Sequence, residues 1–212
     1  MLDDYDFTTL SHTDYQPYEE EHRLFFDYAK GRCLEDGYHS PLFIVVTRSA
    51  HHVIVADFED DESKLKSLIA VRQFAYMKEA HVVYFICEMF MSTRYARTEQ
   101  DAKEIMDNRP IPSQDPARQE HLMCLCWIKN KGMRVLSAAM HRNDEGKLAE
   151  LTDTPTPENT AYLSVAGFLC GERLTEKQKF HARDAFQYLS RVKKLYSKDH
   201  DKMKRGYKDA LH

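Results

Sequence analysis

The sequence predicts an α+β domain: a mixed, mainly antiparallel sheet covered by helices, with a long C-terminal amphipathic helix. Three observations carry that reading. Short β-branched and apolar runs recur in pairs around turn residues, as hairpins require. Apolar residues at helical spacing separate those runs. A capping box, Thr175 with Gln178, opens the longest helical pattern in the chain.

Taken in order, residues 1–17 mix Asp3, Asp4 and Asp6 with Tyr5, Phe7, Tyr15 and Pro17 without a period, and read as an irregular acidic arm. Residues 18–212 are expected to form one domain, the usual count at this length. Phe25, Phe26, Ala29 and Cys33 recur at helical spacing and predict a helix over 18–35 that stops at Asp36-Gly37. Residues 42–47 and 53–58 are apolar and β-branched, and the turn Arg48-Ser49-Ala50-His51-His52 between them predicts a hairpin. Asp60 and Asp61 offer an N-cap for a second helix, with Leu65, Leu68, Ile69, Ala75 and Tyr76 on its packed face.

Residues 82–91 show too little polar alternation for an exposed strand, which predicts a central position. The strand, helix, strand series over 53–91 predicts a right-handed crossover with its two strands parallel. Residues 92–118 form a long interruption with a short helix after Thr98, broken by Asn108-Arg109-Pro110-Ile111-Pro112. A second hairpin is expected from 119–129 and 133–141 around Asn130-Lys131-Gly132, then a short strand at 148–151, a loop at 152–159 and a strand at 162–169. In the final helix, 176–208, Ala182, Ala185, Leu189, Val192, Tyr196, Met203 and Tyr207 form a stripe beside a basic face.

Composition excludes several classes. Of 212 residues, 30% are charged and 42% hydrophobic, an ordinary globular balance, and a net charge of -4 gives no global attraction to nucleic acid or an anionic membrane. The most apolar run is about ten residues and contains Glu88, short of the roughly 20 a spanning helix needs. The acidic start lacks the basic region of a signal peptide. Five cysteines, an odd number among apolar neighbours, fit a reducing cytoplasm, that of the host if the protein is viral. Cys124 and Cys126 fall on one face of a strand, but without a ligand-bearing turn they read as core thiols rather than as zinc ligands.

Three groups of residues are candidates for function. Arg94, Arg97, Arg109 and Arg118 lie in the long interruption, where guanidinium groups can recognise carboxylate or phosphate, beside Asp101, Glu104, Asp107 and Asp115, which can pair with them internally. In the C-terminal helix, Lys194 and Lys198 belong to the basic face, while Met203 and Tyr207 extend an apolar stripe that needs a cover. Glu88, Arg118 and Glu120 lie on or beside apolar strands, where they form either an internal ion pair or the carboxylates of a metal-dependent centre.

The run Cys87-Glu88-Met89-Phe90-Met91 and the later Pro116-Ala117-Arg118-Gln119-Glu120 carry a resemblance to uncharacterised bacterial and phage α+β proteins, in which a strand with Glu-x-aromatic precedes Pro-x-Arg-x-Glu. The resemblance implies a bacterial or viral source and no activity. No HExxH, GxGxxG, Walker A or GxSxG motif is present, and no cofactor is implied. The sequence therefore predicts a non-enzymatic interaction protein of bacterial or phage type that contacts a protein partner or a second copy, with no membrane partner. The alternatives are a metal-dependent hydrolase or nuclease using Glu88 and Glu120, and a small nucleic-acid-binding regulator using the basic C-terminal helix.

Overall fold

The computed structural model describes residues 16–48, 50–56, 58, 60–91, 98–108, 114–129, 132–155, 175–176 and 195–198. Their elements are α1 (Gln16–Asp36), β1 (Leu42–Val46), β2 (His51–Val55), α2 (Asp61–Met77), β3 (Val82–Met91), α3 (Glu99–Asn108), β4 (Gln119–Ile128), β5 (Gly132–Arg142), β6 (Leu148–Thr154) and β7 (Leu195–Lys198). The strands form one seven-stranded sheet in the order β6-β5-β4-β3-β1-β2-β7. Every neighbouring pair is antiparallel.

The apolar run of β3 is nearly unbroken because both its faces are covered. Tyr84 and Ile86 pack with Phe25, Phe26, Ala29 and Cys33 of α1. The alternate residues Val83, Phe85 and Cys87 pack with Leu68, Val71, Phe74 and Ala75 of α2. A period of two thus sorts one strand between two helical layers. β4 does the same, pairing with β3 from Val82↔Ile128 to Met91↔Gln119. Phe43 and Phe85 stack at 4.3 Å between ring centres on the α2 side. No described helix is long and apolar enough to cross a membrane.

The N-cap of α2 is Asp60, which accepts from the Ser63 N–H at 2.6 Å while Ser63 Oγ accepts from the Asp60 N–H at 3.1 Å. Thr98 opens α3 by accepting from the Asp101 N–H at 3.1 Å. The packed face of α2 is built on Leu68, Val71, Phe74 and Ala75, whereas Leu65, Ile69 and Tyr76, expected on that face, are exposed.

The structure overturns the expected fold class. Residues Leu195–Lys198, inside the helix predicted over 176–208, are a strand, paired with β2 from His51↔Lys198 to Ile54↔Leu195. Without it β2 would be an open edge with a row of unpaired N–H and C=O groups, and satisfying those groups outweighs the local helical period. The rest of that pattern, with Lys194, Met203 and Tyr207, lies outside the described residues. The molecule is mostly sheet, and that sheet is antiparallel rather than mixed.

The predicted crossover changes too. β2 and β3 run in the same direction but do not pair, because β1 lies between them and bonds to both. His51 and His52 belong to β2 rather than to the turn before it, and residues 152–154 belong to β6 rather than to a loop. Residues 1–15 of the expected arm and the strand expected at 162–169 lie outside the described residues, while Gln16 and Pro17 already belong to α1.

Candidate functional site at the end of the sheet

Glu88 stands where the apolar run of β3 gives out, on the face covered by α1. Its Oε1 accepts from the backbone N–H of His39, in the turn between α1 and β1, and from Cys33 Sγ at 3.7 Å. Burial raises the Glu88 carboxyl above the usual carboxylate range; the His39 N–H opposes that, the charge of Glu120 adds to it, and Arg142 and the Cys33 thiol oppose it. The Cys33 thiol is pushed up to about 12, first by burial and then by Glu88.

Glu120 is the diagonal neighbour of Glu88, because Glu88 pairs with Leu122 and Phe90 with Glu120. Both its oxygens are held by Arg142, whose Nε donates to Oε2 at 2.7 Å and Nη2 to Oε1 at 3.0 Å. Arg142 Nη1 also donates to the carbonyls of Gly37 at 3.2 Å and Gly146 at 3.4 Å. The register shift between His141 and Arg142 sets this side chain apart from the regular alternation of β5. Both glycines have positive φ, +79° and +77°, so each turn presents its carbonyl from a conformation that favours glycine. One guanidinium thereby ties β4 to two turns.

Arg118, expected beside these acids, instead lies over the ring of Phe90, 4.8 Å from its centre. The arginine that pairs with Glu120 is Arg142. Phe90 remains 41% exposed, and Tyr38, between the two residues whose backbones contact Arg142 and Glu88, is 61% exposed; Leu34, next to Cys33, is 45% exposed. The end of the sheet thus carries an aromatic and aliphatic rim around a half-buried acid and a closed ion pair.

The structure places Glu88, Arg118 and Glu120 at this one end. Lys198 is elsewhere, at the far edge of the sheet opposite His51. Arg94, Arg97, Arg109, Lys194, Met203 and Tyr207 lie outside the described residues. Cys33, Cys87, Cys124 and Cys126 are free and buried. Among the described residues no group of three or more His, Cys, Asp or Glu could hold a metal ion.

A second polar cluster, not anticipated from the sequence, lies sealed under α1. Glu21 accepts from His51 Nε2 at 2.6 Å through Oε1 and from the Tyr84 hydroxyl through Oε2. Next to it, His22 Nε2 donates to the Cys124 carbonyl at 2.8 Å. All four side chains are buried. Burial, reinforced by the Glu21 charge, raises the Tyr84 phenol well above its ordinary value. A signal was present in the sequence: helical spacing back from Phe25 and Phe26 lands on Glu21 and His22, so the packed stripe of α1 begins with two polar residues. The bonds of this cluster join α1 to the sheet.

A family model described as Bacteriophage lambda protein ea47 matches residues 4–184, well over half of the chain. No curated protein and no solved structure matches. β7 lies beyond the matched stretch. This chain belongs to the bacteriophage lambda protein ea47 family and is a phage-type protein.

Proposed function

We propose that this protein works by binding another protein, through the rim formed by Leu34, Tyr38, Phe90 and Arg118. The carrying observation is the guanidinium of Arg118 seated on a Phe90 ring that is still 41% exposed. Aromatic and arginine side chains dominate the energetics of protein interfaces, and a pair already stacked loses less freedom on docking. The Glu120–Arg142 pair beneath supports the rim from two turns and gives it a fixed polar floor.

The geometry favours this over the metal-dependent alternative. A metal centre on Glu88 and Glu120 would need open carboxylate oxygens, and both of those on Glu120 are held by Arg142. A nucleic-acid surface here would set two acids beside the phosphates.

The test is site-specific photo-crosslinking in phage-infected bacteria, with the crosslinker at Tyr38 or at Phe90 and at exposed Lys147 as control. One discrete protein adduct is expected from both rim positions, lost when Arg118→Glu is added. Adducts indistinguishable from those at Lys147 would remove the reading.

A further inference from the structure

We infer that α1 is a proton-sensitive latch: Glu21 and His22, adjacent on its inner face, hold it to three strands, and a second proton on the His22 ring breaks that hold. Glu21 reaches β2 through His51 and β3 through Tyr84, and His22 reaches β4 through the Cys124 carbonyl. Two consecutive residues therefore carry every buried side-chain bond described between the first turns of α1 and the sheet.

His22 donates through Nε2, so its neutral ring keeps Nδ1 unprotonated. Protonating Nδ1 would place a full charge in a buried site. The groups around it are Glu21 and Arg23 from α1, Tyr84 from β3 and Cys124 from β4, with His51 of β2 linked to it through Glu21. Glu21, the one carboxylate among them, already has both oxygens committed to His51 and Tyr84. Arg23, which repels a charged His22, pairs with Asp153 of β6 at 3.2 Å. The Tyr84 ring lies 5.8 Å from the imidazole and its hydroxyl points to Glu21. Burial therefore dominates and holds His22 down to about 4; the Cys124 carbonyl and Glu21 oppose it and Arg23 adds to it.

The sign follows from linkage. In the undocked helix the ring titrates at its ordinary value of 6.5. Docking is strongest above that value and weakens as pH falls from it towards about 4, by up to about tenfold per pH unit. The core on the far side of the sheet, under α2, is not part of this contact. Loosening α1 uncovers the Phe25 and Phe26 face and displaces Leu34 and Cys33 from the end of the sheet.

Hydrogen exchange of the full chain tests this, with amide protection compared at pH 7.0 and 5.5 after correction for intrinsic rates. Protection across α1 should fall roughly eightfold in the wild type. In His22→Gln, whose amide can donate to the same carbonyl but cannot titrate here, the fall across the first turns of α1 should be much smaller, while α2, which covers its own buried His52, keeps its pH response. A flat α1 response in the wild type, or the same fall in His22→Gln, would overturn the latch. Should His22→Gln not fold, the imidazole signals of the wild type decide. Titration near 4 upholds the latch, and titration near 6.5 refutes it. The measurement uses no partner, so its failure leaves the docking surface untouched.

Discussion

Tyr84 donates its phenolic hydrogen to Glu21 across 63 positions of chain, and both side chains are buried. A carboxylate in that position is tolerable only because Tyr84 and His51 each satisfy one oxygen. Tyr84→Phe keeps the ring and its edge-on contact with Phe25 at 4.9 Å, but strips one donor from a buried charge. We expect a loss of about 3 kcal/mol in urea unfolding, well above a neutral hydrogen bond. In a double-mutant cycle with Glu21→Gln, the two losses should fall short of additivity by about 1 kcal/mol or more. Additive losses would mean that the two groups do not act as a pair.

At the other end of α1, Arg142 steadies Glu120 and moderates Glu88. Arg142→Met should cost about 1 kcal/mol, because the pair is partly exposed and screened by water. It should also push the Glu88 carboxyl further up, since one of the influences lowering it is the Arg142 charge. Carboxyl-carbon NMR during an acid titration reads that shift. A Glu88 signal that moves down or not at all would contradict the placement of Arg142.

His39 and His52 are held down to about 4, each chiefly by burial, as His22 is. All three bind protons more readily when the chain unfolds. Their contribution to stability is present above pH 6.5 and is lost as pH falls from there to about 4. At pH 5 the loss should be about 2 kcal/mol for each of His22 and His39, with His52 acting in the same direction. Urea unfolding at pH 7 and pH 5 measures it, and equal stability at both would show that these rings are charged in the folded state.

Burial pushes the Cys33 and Cys87 thiols up to about 12 and holds Cys124 and Cys126 well above the ordinary thiol range. As the thiolate is the reactive form, a disulfide reagent at pH 8 should leave these four unmodified in the folded protein and label them in denaturant. Fast labelling of any of the four under native conditions would place it nearer solvent than the structure does.

How much of this was legible depended on the range over which each feature is determined. The strands 82–91 and 119–129 declare themselves locally, because long apolar runs covered on both sides need no partner to be recognised. Glu88 was legible for the same reason, as a charge inside such a run. Its neighbour Glu120 followed from setting the two apolar strands side by side, but the choice of Arg142 over Arg118 did not. Arg118 is nearer Glu120 in sequence, whereas Arg142 is brought to it by the β4–β5 pairing and a register shift. The predicted C-terminal helix shows the opposite failure, in which a real local period at Leu195–Lys198 yields to the pairing needs of a strand far earlier in the chain.

That pairing also sets an order of assembly. On the ribosome, β1 to β6 and both helical layers can be in place once residue 154 has emerged, but among the described strands β2 gains its outer neighbour only when Leu195–Lys198 follows. For the length of chain in between, His51–Val55 is a bare edge able to template another nascent copy. Among the described strands, the four-residue one that comes last in the chain is thus the cap on this edge, and the interval before it is when that edge is most exposed to misassembly.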